Sequence, residues 1–488
     1  DTAMTIEAIQ KNLLQLEREL YAYQHALALL EVDGETAAPR DSAEGRGVAM
    51  SLLSEKKYAL LTGESTKALL VELENKSDQL DEALRRKAQL LKEDVEDLTR
   101  IPAEEYAAYA KVVNEASSKW LEAKEQNRYA LFEPLLSQVV DYNRRFAAYH
   151  NPNAAAYDDL LDQYEKGMSM AVLDPLFEML RSELEIRPSP FAKPQLPECT
   201  VPQQQAFAHD LMRIMGIDPN RCTLTVTEHP FTQGFNPHDV RITTHYDTQD
   251  VFSSAYSVIH EGGHALYELN LPEPFGAIPT GVPSMGMHES QSRFFENLVG
   301  HDPGFLRWLL PLMRKHFDFD GVSDQDLIRN ANYIQPSLIR TLADEVTYPL
   351  HIMIRYELEK RLMDGSLSTR DLPEAWNAMY HEYLGVHVPD DRQGVLQDMH
   401  WAGGMIGYFP TYVLGSAYAS QFMHAMRKDL DVDGLLCRGQ LEPIREWLTS
   451  HVHRYGNLYR ADQLLVHATG EAFNPAYYVD HLKQAADR

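Results

Sequence analysis

The 488-residue sequence predicts a mainly α-helical protein with one small β element near its middle. Apolar residues recur at intervals of three and four over most of the first 180 residues, and this helical periodicity returns after residue 251. Two short runs rich in β-branched residues lie between these regions. Apolar residues make up 44% of the chain, which excludes disorder as its dominant state.

The first 186 residues are expected to form a helical N-terminal part. Its first helix is predicted over Ile6–Leu30, where Ile9, Leu13 and Leu16 share one face and charged residues occupy the other. The same spacing predicts further helices over residues 48–61, 65–98, 103–132 and 134–149.

A Pro-rich stretch over residues 187–202 opens the second part, residues 187–488, which is expected to carry the chemistry. Two β-branched runs follow, over residues 223–227 and 240–244. The Pro and Gly residues between them predict a small antiparallel ribbon. Both parts are expected to belong to a single domain over residues 1–488.

The charge balance disfavours some classes of binding partner, and the cysteines indicate the cellular compartment. The chain has 45 Lys and Arg against 72 Asp and Glu, a net charge of −27 that would repel nucleic-acid backbones and anionic membranes. No apolar run approaches the roughly 18 residues of a membrane span. The widely spaced Cys199, Cys222 and Cys437 predict no disulfide framework, so a reducing, cytoplasmic location is expected.

The segment His260-Glu261-Gly262-Gly263-His264 contains the pattern H-E-x-x-H. On a helix, residues four apart lie on one face with Cβ atoms about 5–6 Å apart, so both imidazoles can bind one divalent ion. Glu261 is then placed to act as general base on a water molecule that the ion activates. Each glycine costs about 1 kcal/mol in a helix relative to Ala, so we expect something, such as a substrate chain, to approach this backbone closely.

A third ligand is expected from the next helix. Glu268 lies four residues beyond His264, but three side chains in a row along one helix span about 12 Å and cannot meet one ion. The following helix offers His288, Glu289 and Glu296, and spacing alone leaves all three open. A site of histidine and carboxylate donors suits zinc, and cobalt or manganese can occupy similar sites.

Six motifs in this order resemble those of the carboxypeptidase Taq family of metallocarboxypeptidases. They are His229 to Phe231, Asp239 to Thr243, His260 to His264, His288 to Gln291, Ile339 to Asp344 and Gly394 to Trp401. The resemblance implies a large helical metallopeptidase with a deep active-site cleft, the β-ribbon next to the H-E-x-x-H helix, and a homodimer. The sequence departs from the family pattern at Leu342, where an acidic residue is expected, and in a shorter loop between His264 and Glu289.

The resemblance also implies the metal site and its surroundings. It makes His260, His264 and Glu289 the ligands and Glu261 the general base. Related helical metallopeptidases use a His and a Tyr 8 to 12 residues later as oxyanion donors, which implies His400 and either Tyr408 or Tyr412 here, with the choice between the two tyrosines open.

A carboxypeptidase must recognise the free C-terminal carboxylate of its substrate. Arg is suited to this, because its planar guanidinium binds a carboxylate through two hydrogen bonds. Arg340 and Arg241 lie in the family's substrate-binding motifs, and Arg241 lies on the ribbon, whose edge could pair with a peptide. His229, Phe231 and Asp239 are expected to line the same cleft.

The function predicted is a metal-dependent carboxypeptidase that releases single C-terminal residues from peptides with broad specificity. This interpretation predicts one divalent ion per chain as the cofactor, peptides with a free C-terminus as substrates, and a homodimer. An oligopeptide endopeptidase of similar helical fold is the nearest alternative, and a catalytically silent peptide-binding protein is another.

Overall fold

Long amphipathic helices build the first part of the chain, as the apolar periodicity predicts. The computed structural model describes residues 4–488. The predicted helix over residues 65–98 is in fact two helices, because a 3₁₀ turn interrupts it and Asp81 caps the second by accepting from the Leu84 N–H at 2.8 Å. The helices are Ile6–Glu35 (α1), Ala43–Thr62 (α2), Glu64–Asn75 (α3), Glu82–Thr99 (α4), Ala103–Gln126 (α5), Glu133–His150 (α6), Ala156–Tyr164 (α7) and Met170–Glu183 (α8).

Two hydrophobic cores hold these helices. The smaller core joins α1 to α4 through buried side chains such as Ile9, Leu13 and Leu73. The main core starts at Ala116 of α5 and extends to Leu482, so it includes residues on both sides of the Pro-rich stretch. Helices α5 to α8 therefore pack with the second part of the chain.

The small β element is a three-stranded sheet of Cys222–Val226 (β1), Thr232–Asn236 (β2) and Asp239–Thr244 (β3), in the order β1-β3-β2. The prediction of an antiparallel ribbon between the first and last strands is wrong, because β1 and β3 are parallel. The intervening segment itself contains β2, which forms the antiparallel hairpin with β3. The chain thus reverses direction twice, and β1 joins the other edge of β3.

Helices dominate the remainder. Helix α11 runs directly into a π-helical segment, Phe294–Gly300, a rare form that is frequent at functional sites. None of the described helices is both long and apolar enough to cross a membrane. The helices are Val201–Ile214 (α9), Val251–Leu269 (α10), Met285–Arg293 (α11), Pro303–His316 (α12), Asp324–Ala331 (α13), Tyr348–Asp364 (α14), Leu372–Leu384 (α15), Pro410–Met426 (α16), Val432–Cys437 (α17), Glu442–His451 (α18), Ala461–Thr469 (α19) and Ala476–Ala486 (α20).

Helices α10 and α11 cross with their backbones in contact. A Cβ atom added at Gly263 would lie 2.4 Å from the carbonyl oxygen of Gln291, and one added at Gly262 would lie 2.7 Å from Sδ of Met215. The expected close approach to this backbone is present, but protein atoms rather than a substrate fill the space beside both glycines. The glycines serve the packing of α10 instead.

The two glycines predict different mutational effects. Gly263→Ala should lower the free energy of unfolding by about 1–3 kcal/mol, because the backbone of α11 cannot move aside. Gly262→Ala should be nearly neutral, because the flexible Met215 side chain can move and Ala stabilises a helix by up to about 1 kcal/mol relative to Gly. Urea denaturation of both variants checks this, and equal effects would contradict the packing argument.

Candidate metal centre and active site

Three donor atoms converge between α10 and α11. Nε2 of His264 lies 3.2 Å and Nε2 of His260 lies 3.8 Å from Oε2 of Glu289. All three donor atoms lie within 4.8 Å of one another. Ligands at 2.0–2.1 Å from one tetrahedral ion stand about 3.3 Å apart, so this arrangement fits a divalent ion with small adjustments.

The two alternatives to Glu289 lie behind the histidines rather than between them. Nδ1 of His288 is 2.6 Å from Nδ1 of His264, and Oε1 of Glu296 is 2.7 Å from Nδ1 of His260. Both contact the ring nitrogen opposite the one that faces Glu289. This geometry favours Glu289 as the third ligand.

Arg293 connects the two glutamates of the cluster. Its Nε donates to Oε1 of Glu289 at 2.7 Å, and its Nη1 donates to Oε2 of Glu296 at 3.3 Å. Burial alone would raise the pKa of Glu289, but His260 and Arg293 bring that pKa well below its usual range. Glu289 is therefore ionised, as a metal ligand must be.

The two histidines have different charge environments. Burial lowers the pKa of His260, but the carboxylates of Glu289 and Glu296 outweigh burial and raise that pKa to about 9. Burial, together with the neighbouring His288, lowers the pKa of His264. The metal-free site therefore holds a proton on one imidazole and none on the other at neutral pH.

Glu261 projects from α10 into the same cavity as two of the donor residues. Asp250 caps this helix by accepting from the Ser253 N–H at 3.3 Å. Oγ1 of Thr232, on β2, donates to Oε2 of Glu261 at 2.5 Å. Thr232 thus holds the carboxylate in place, a role that nothing in the local sequence pattern signals.

The cavity has a volume of about 770 Å³ and lies beside the donor cluster. Of the residues predicted for substrate binding, His229 and Arg340 line it, and Tyr412 lines it among the predicted oxyanion donors. Leu342 lies on its wall with 79% of the residue exposed. A large apolar side chain is therefore available to a bound molecule at this point.

Arg340 is buried in the cavity wall and paired with Asp398. Its Nε and Nη2 donate to Oδ1 of Asp398 at 3.1 and 2.9 Å, and its Nη1 donates to Oη of Tyr348 at 3.2 Å. Asp398 also accepts from Nε of Arg355 at 2.7 Å, so the two arginines and one aspartate carry a net charge of +1. A guanidinium has five N–H donors, which leaves two for an anion in the cavity.

His400, Tyr408 and Tyr412 form one aromatic cluster. Nε2 of His400 lies 3.0 Å from Oη of Tyr412, and the Tyr408 ring packs against both rings. Burial, with help from Arg340 and Arg355, lowers the pKa of His400 to about 4. Burial and the Glu289 carboxylate raise the pKa of Tyr408 to about 12, so all three side chains are neutral at pH 7.

Phe231, Asp239 and Arg241 are not brought to the cavity wall. Arg241 forms two hydrogen bonds with Asp239, at 2.7 and 3.1 Å, and its guanidinium lies over the ring of Phe235. Arg241 also lies on β3, whose two edges are both occupied by β1 and β2. A peptide could pair only with an outer strand, so the geometry favours Arg340 as the carboxylate ligand.

The chain is similar to known carboxypeptidases over nearly its whole length. Residues 12–486 match the profile described as carboxypeptidase Taq (M32) metallopeptidase. The chain belongs to this family. Carboxypeptidase 1 of Bacillus subtilis is 37% identical over 494 residues, which cover 98% of each protein. The crystal structure of the M32 carboxypeptidase from Deinococcus radiodurans matches with a TM-score of 0.92 at 32% identity, over 98% of both chains.

A second relative is similar over almost the full length of the chain. Thermostable carboxypeptidase 1 of Thermus thermophilus is 36% identical over 506 residues, which cover 99% of each protein. The predictions of the carboxypeptidase Taq family and of a mainly helical metallopeptidase fold are confirmed. The protein is accordingly a metal-dependent carboxypeptidase, as predicted.

The raised pKa of His260 predicts that a divalent ion bound through this imidazole would compete with a proton. Because the metal-free imidazole is protonated below pH 9, binding of a divalent ion at pH 7 should release close to one proton. The apparent affinity should rise about tenfold per pH unit up to pH 9 and then level off. Calorimetric titrations in buffers of different ionisation enthalpy measure the proton count. Glu296→Gln should reduce it, and a count near zero in the unaltered protein would contradict the prediction.

Proposed function

We propose that His260, His264 and Glu289 hold one divalent ion, and that this ion is zinc. The convergence of these donors beside the Glu261 carboxylate is the observation that carries the proposal. Two imidazoles and one carboxylate leave an open position, as in hydrolytic zinc sites, although cobalt or manganese also accept such donors. When bound, the ion supplies Lewis acidity that activates water and polarises the scissile carbonyl.

Glu261 is the general base of the proposed reaction. Its carboxylate takes a proton from the attacking water and later delivers it to the amine of the departing residue. The hydrogen bond from Thr232 supports this role, because it restrains one carboxylate oxygen and leaves the other free. The protonated amine is a poor nucleophile, so this second transfer favours departure of the released residue.

Arg340 recognises the free carboxylate of the substrate in our proposal. Its two unused N–H groups and the net positive charge shared with Asp398 and Arg355 support this role. An anchor at the terminal carboxylate places the last peptide bond, and no other, at the metal centre. Removal of single C-terminal residues follows from this geometry.

Tyr412 donates a hydrogen bond to the oxyanion in the proposed mechanism. If Nε2–H of the neutral His400 donates to Oη of Tyr412, the phenol hydrogen is free to point into the cavity. Tyr408 packs against both rings and supports their orientation. Of the remaining predicted residues, His229 contacts the substrate from the cavity wall, whereas Phe231, Asp239 and Arg241 lie outside that wall and are given no direct role.

We further propose broad specificity, a cytoplasmic location and a single domain over residues 1–488. The size of the cavity and its mixed polar and apolar wall support broad specificity. The free thiol of the exposed Cys437 fits a reducing compartment. The main core, which joins both parts of the chain, supports one domain.

The homodimer is supported by family membership and by the exposed apolar side chains of Val48 and Leu52 on α2. The net charge of −27 supports the absence of nucleic-acid and membrane partners. Peptides with a free C-terminus remain the proposed substrates.

The reaction type is tested with an N-acylated peptide, its C-terminal amide and the Glu261→Gln variant. Mass spectrometry should detect stepwise loss of single C-terminal residues from the free acid, little cleavage of the amide, and at least a 1000-fold slower reaction in the variant, because the base is lost. Internal cuts, or equal cleavage of the amide, would favour an endopeptidase. No turnover with zinc, cobalt or manganese would favour a silent peptide-binding protein.

The carboxylate anchor is tested by comparing Arg340→Gln with Arg241→Gln, since both arginines are paired with an aspartate. Arg340→Gln should lower kcat/KM on free-acid peptides about 10- to 100-fold, because a charged hydrogen bond to the substrate is lost. Arg241→Gln should change it less than threefold. Steady-state kinetics measures both, and the reverse order of effects would move the anchor to β3.

A further inference from the structure

A chain of hydrogen-bonded side chains runs from His264 to Glu268. Nδ1 of His264 meets Nδ1 of His288 at 2.6 Å, and Nε2 of His288 meets Oε1 of Glu268 at 2.7 Å. The three side chains are between 10% and 19% exposed. We propose that Glu268 is a positioning residue, which fixes the tautomer and the orientation of His264 through His288 and thereby sets the affinity of the metal site. This inference rests on the ligand set proposed above.

The direction of each hydrogen bond follows from the metal site. A His264 that offers the Nε2 lone pair to an ion carries its hydrogen on Nδ1. Nδ1 of His288 must then accept that hydrogen, so His288 carries its own hydrogen on Nε2. Within residues 4–488, the Glu268 carboxylate is the group that accepts it. Only one arrangement of hydrogens is therefore compatible with ligation, and Glu268 determines it.

The sheet holds Glu268 in this position. A Cβ atom at Gly234 of β2 would lie 2.4 Å from Oε2 of Glu268, so any other residue there would displace the carboxylate. On the other side, the ring of Tyr267 packs against His288 at a centroid distance of 5.2 Å. The carboxylate and the imidazole are thus fixed by packing as well as by their hydrogen bond.

The two metal-binding histidines are supported in different ways. His260 donates directly to the carboxylate of Glu296, whereas His264 reaches a carboxylate only through a second imidazole. Carboxylates or imidazoles behind a metal-bound histidine orient its ring and raise its basicity, and their loss typically costs 10- to 100-fold in metal affinity. Glu268 is therefore expected to affect zinc binding although it lies too far along α10 to touch the ion.

The experiment measures the Kd for zinc by competition with a chromophoric chelator. Glu268→Leu should raise this Kd 10- to 100-fold, because it keeps the volume and removes the acceptor. Glu268→Gln should remain within about threefold, because its amide oxygen can still accept from His288. Gly234→Ala should resemble Glu268→Leu and serves as a second route if that variant does not fold.

His453→Phe is the matched control. His453 is buried and stacks on the same Tyr267 ring as His288, at 4.9 Å, but it bonds to Gln291 and contacts no proposed ligand. This variant should lower the melting temperature of the metal-free protein without changing the zinc Kd. An equal rise in Kd for His453→Phe and Glu268→Leu would overturn the proposal, because it would mean a general loss of packing.

The His264→Ala variant tests the proposed ligand set separately from the proposed role of Glu268. If this variant binds zinc as tightly as the unaltered protein, the ligand set itself is wrong. If it loses zinc binding while Glu268→Leu keeps its Kd within threefold, the ligands stand and the role of Glu268 is overturned.

Discussion

The backbone contact between α10 and α11 is the constraint on which the active site depends. The donors come from both helices, so their spacing follows from the distance between two backbones that touch at Gly263. Helix α16 closes on the other side, where a Cβ atom at Gly415 would lie 2.6 Å from Cβ of Glu289. Glu289 is therefore held between two close helix crossings, and the geometry of the site does not rely on flexible side chains.

Buried charges around the site are tolerated because each has a partner. Glu289 and Glu296 share Arg293, and Asp398 lies between Arg340 and Arg355. An unpaired buried charge would cost several kcal/mol, whereas paired charges with satisfied hydrogen bonds approximately balance that cost. These pairs orient the groups that face the cavity more than they stabilise the fold.

The helices, the pair of histidines at the metal site and the family could be predicted from the sequence. The helices follow from the spacing of apolar residues, and the histidine pair and the family follow from short sequence motifs. It could not choose among His288, Glu289 and Glu296 by spacing, because all three do contact the histidines and only the relative placement of two helices separates their roles. Thr232 reaches Glu261 through a long-range contact and leaves no local signal. Asp398 belongs to the motif Gly394 to Trp401, but its pairing with Arg340 and Arg355 depends on tertiary contacts that the motif does not reveal. The prediction of an antiparallel pairing between β1 and β3 was wrong because β2 is a short strand that contains Gly234 and Asn236, and such a segment resembles a loop.

Positions at the tight helix crossings do not tolerate a larger side chain, whereas positions on the cavity wall do. The backbone of α11 at Gly263 and the Glu289 side chain at Gly415 leave no room for any added side chain, although neither glycine lines the cavity. Leu342, by contrast, meets mostly solvent on the cavity wall, where nearly any residue could fit. New substrate preferences could therefore evolve from rim positions such as this one, at little risk to the chemistry that lies below them.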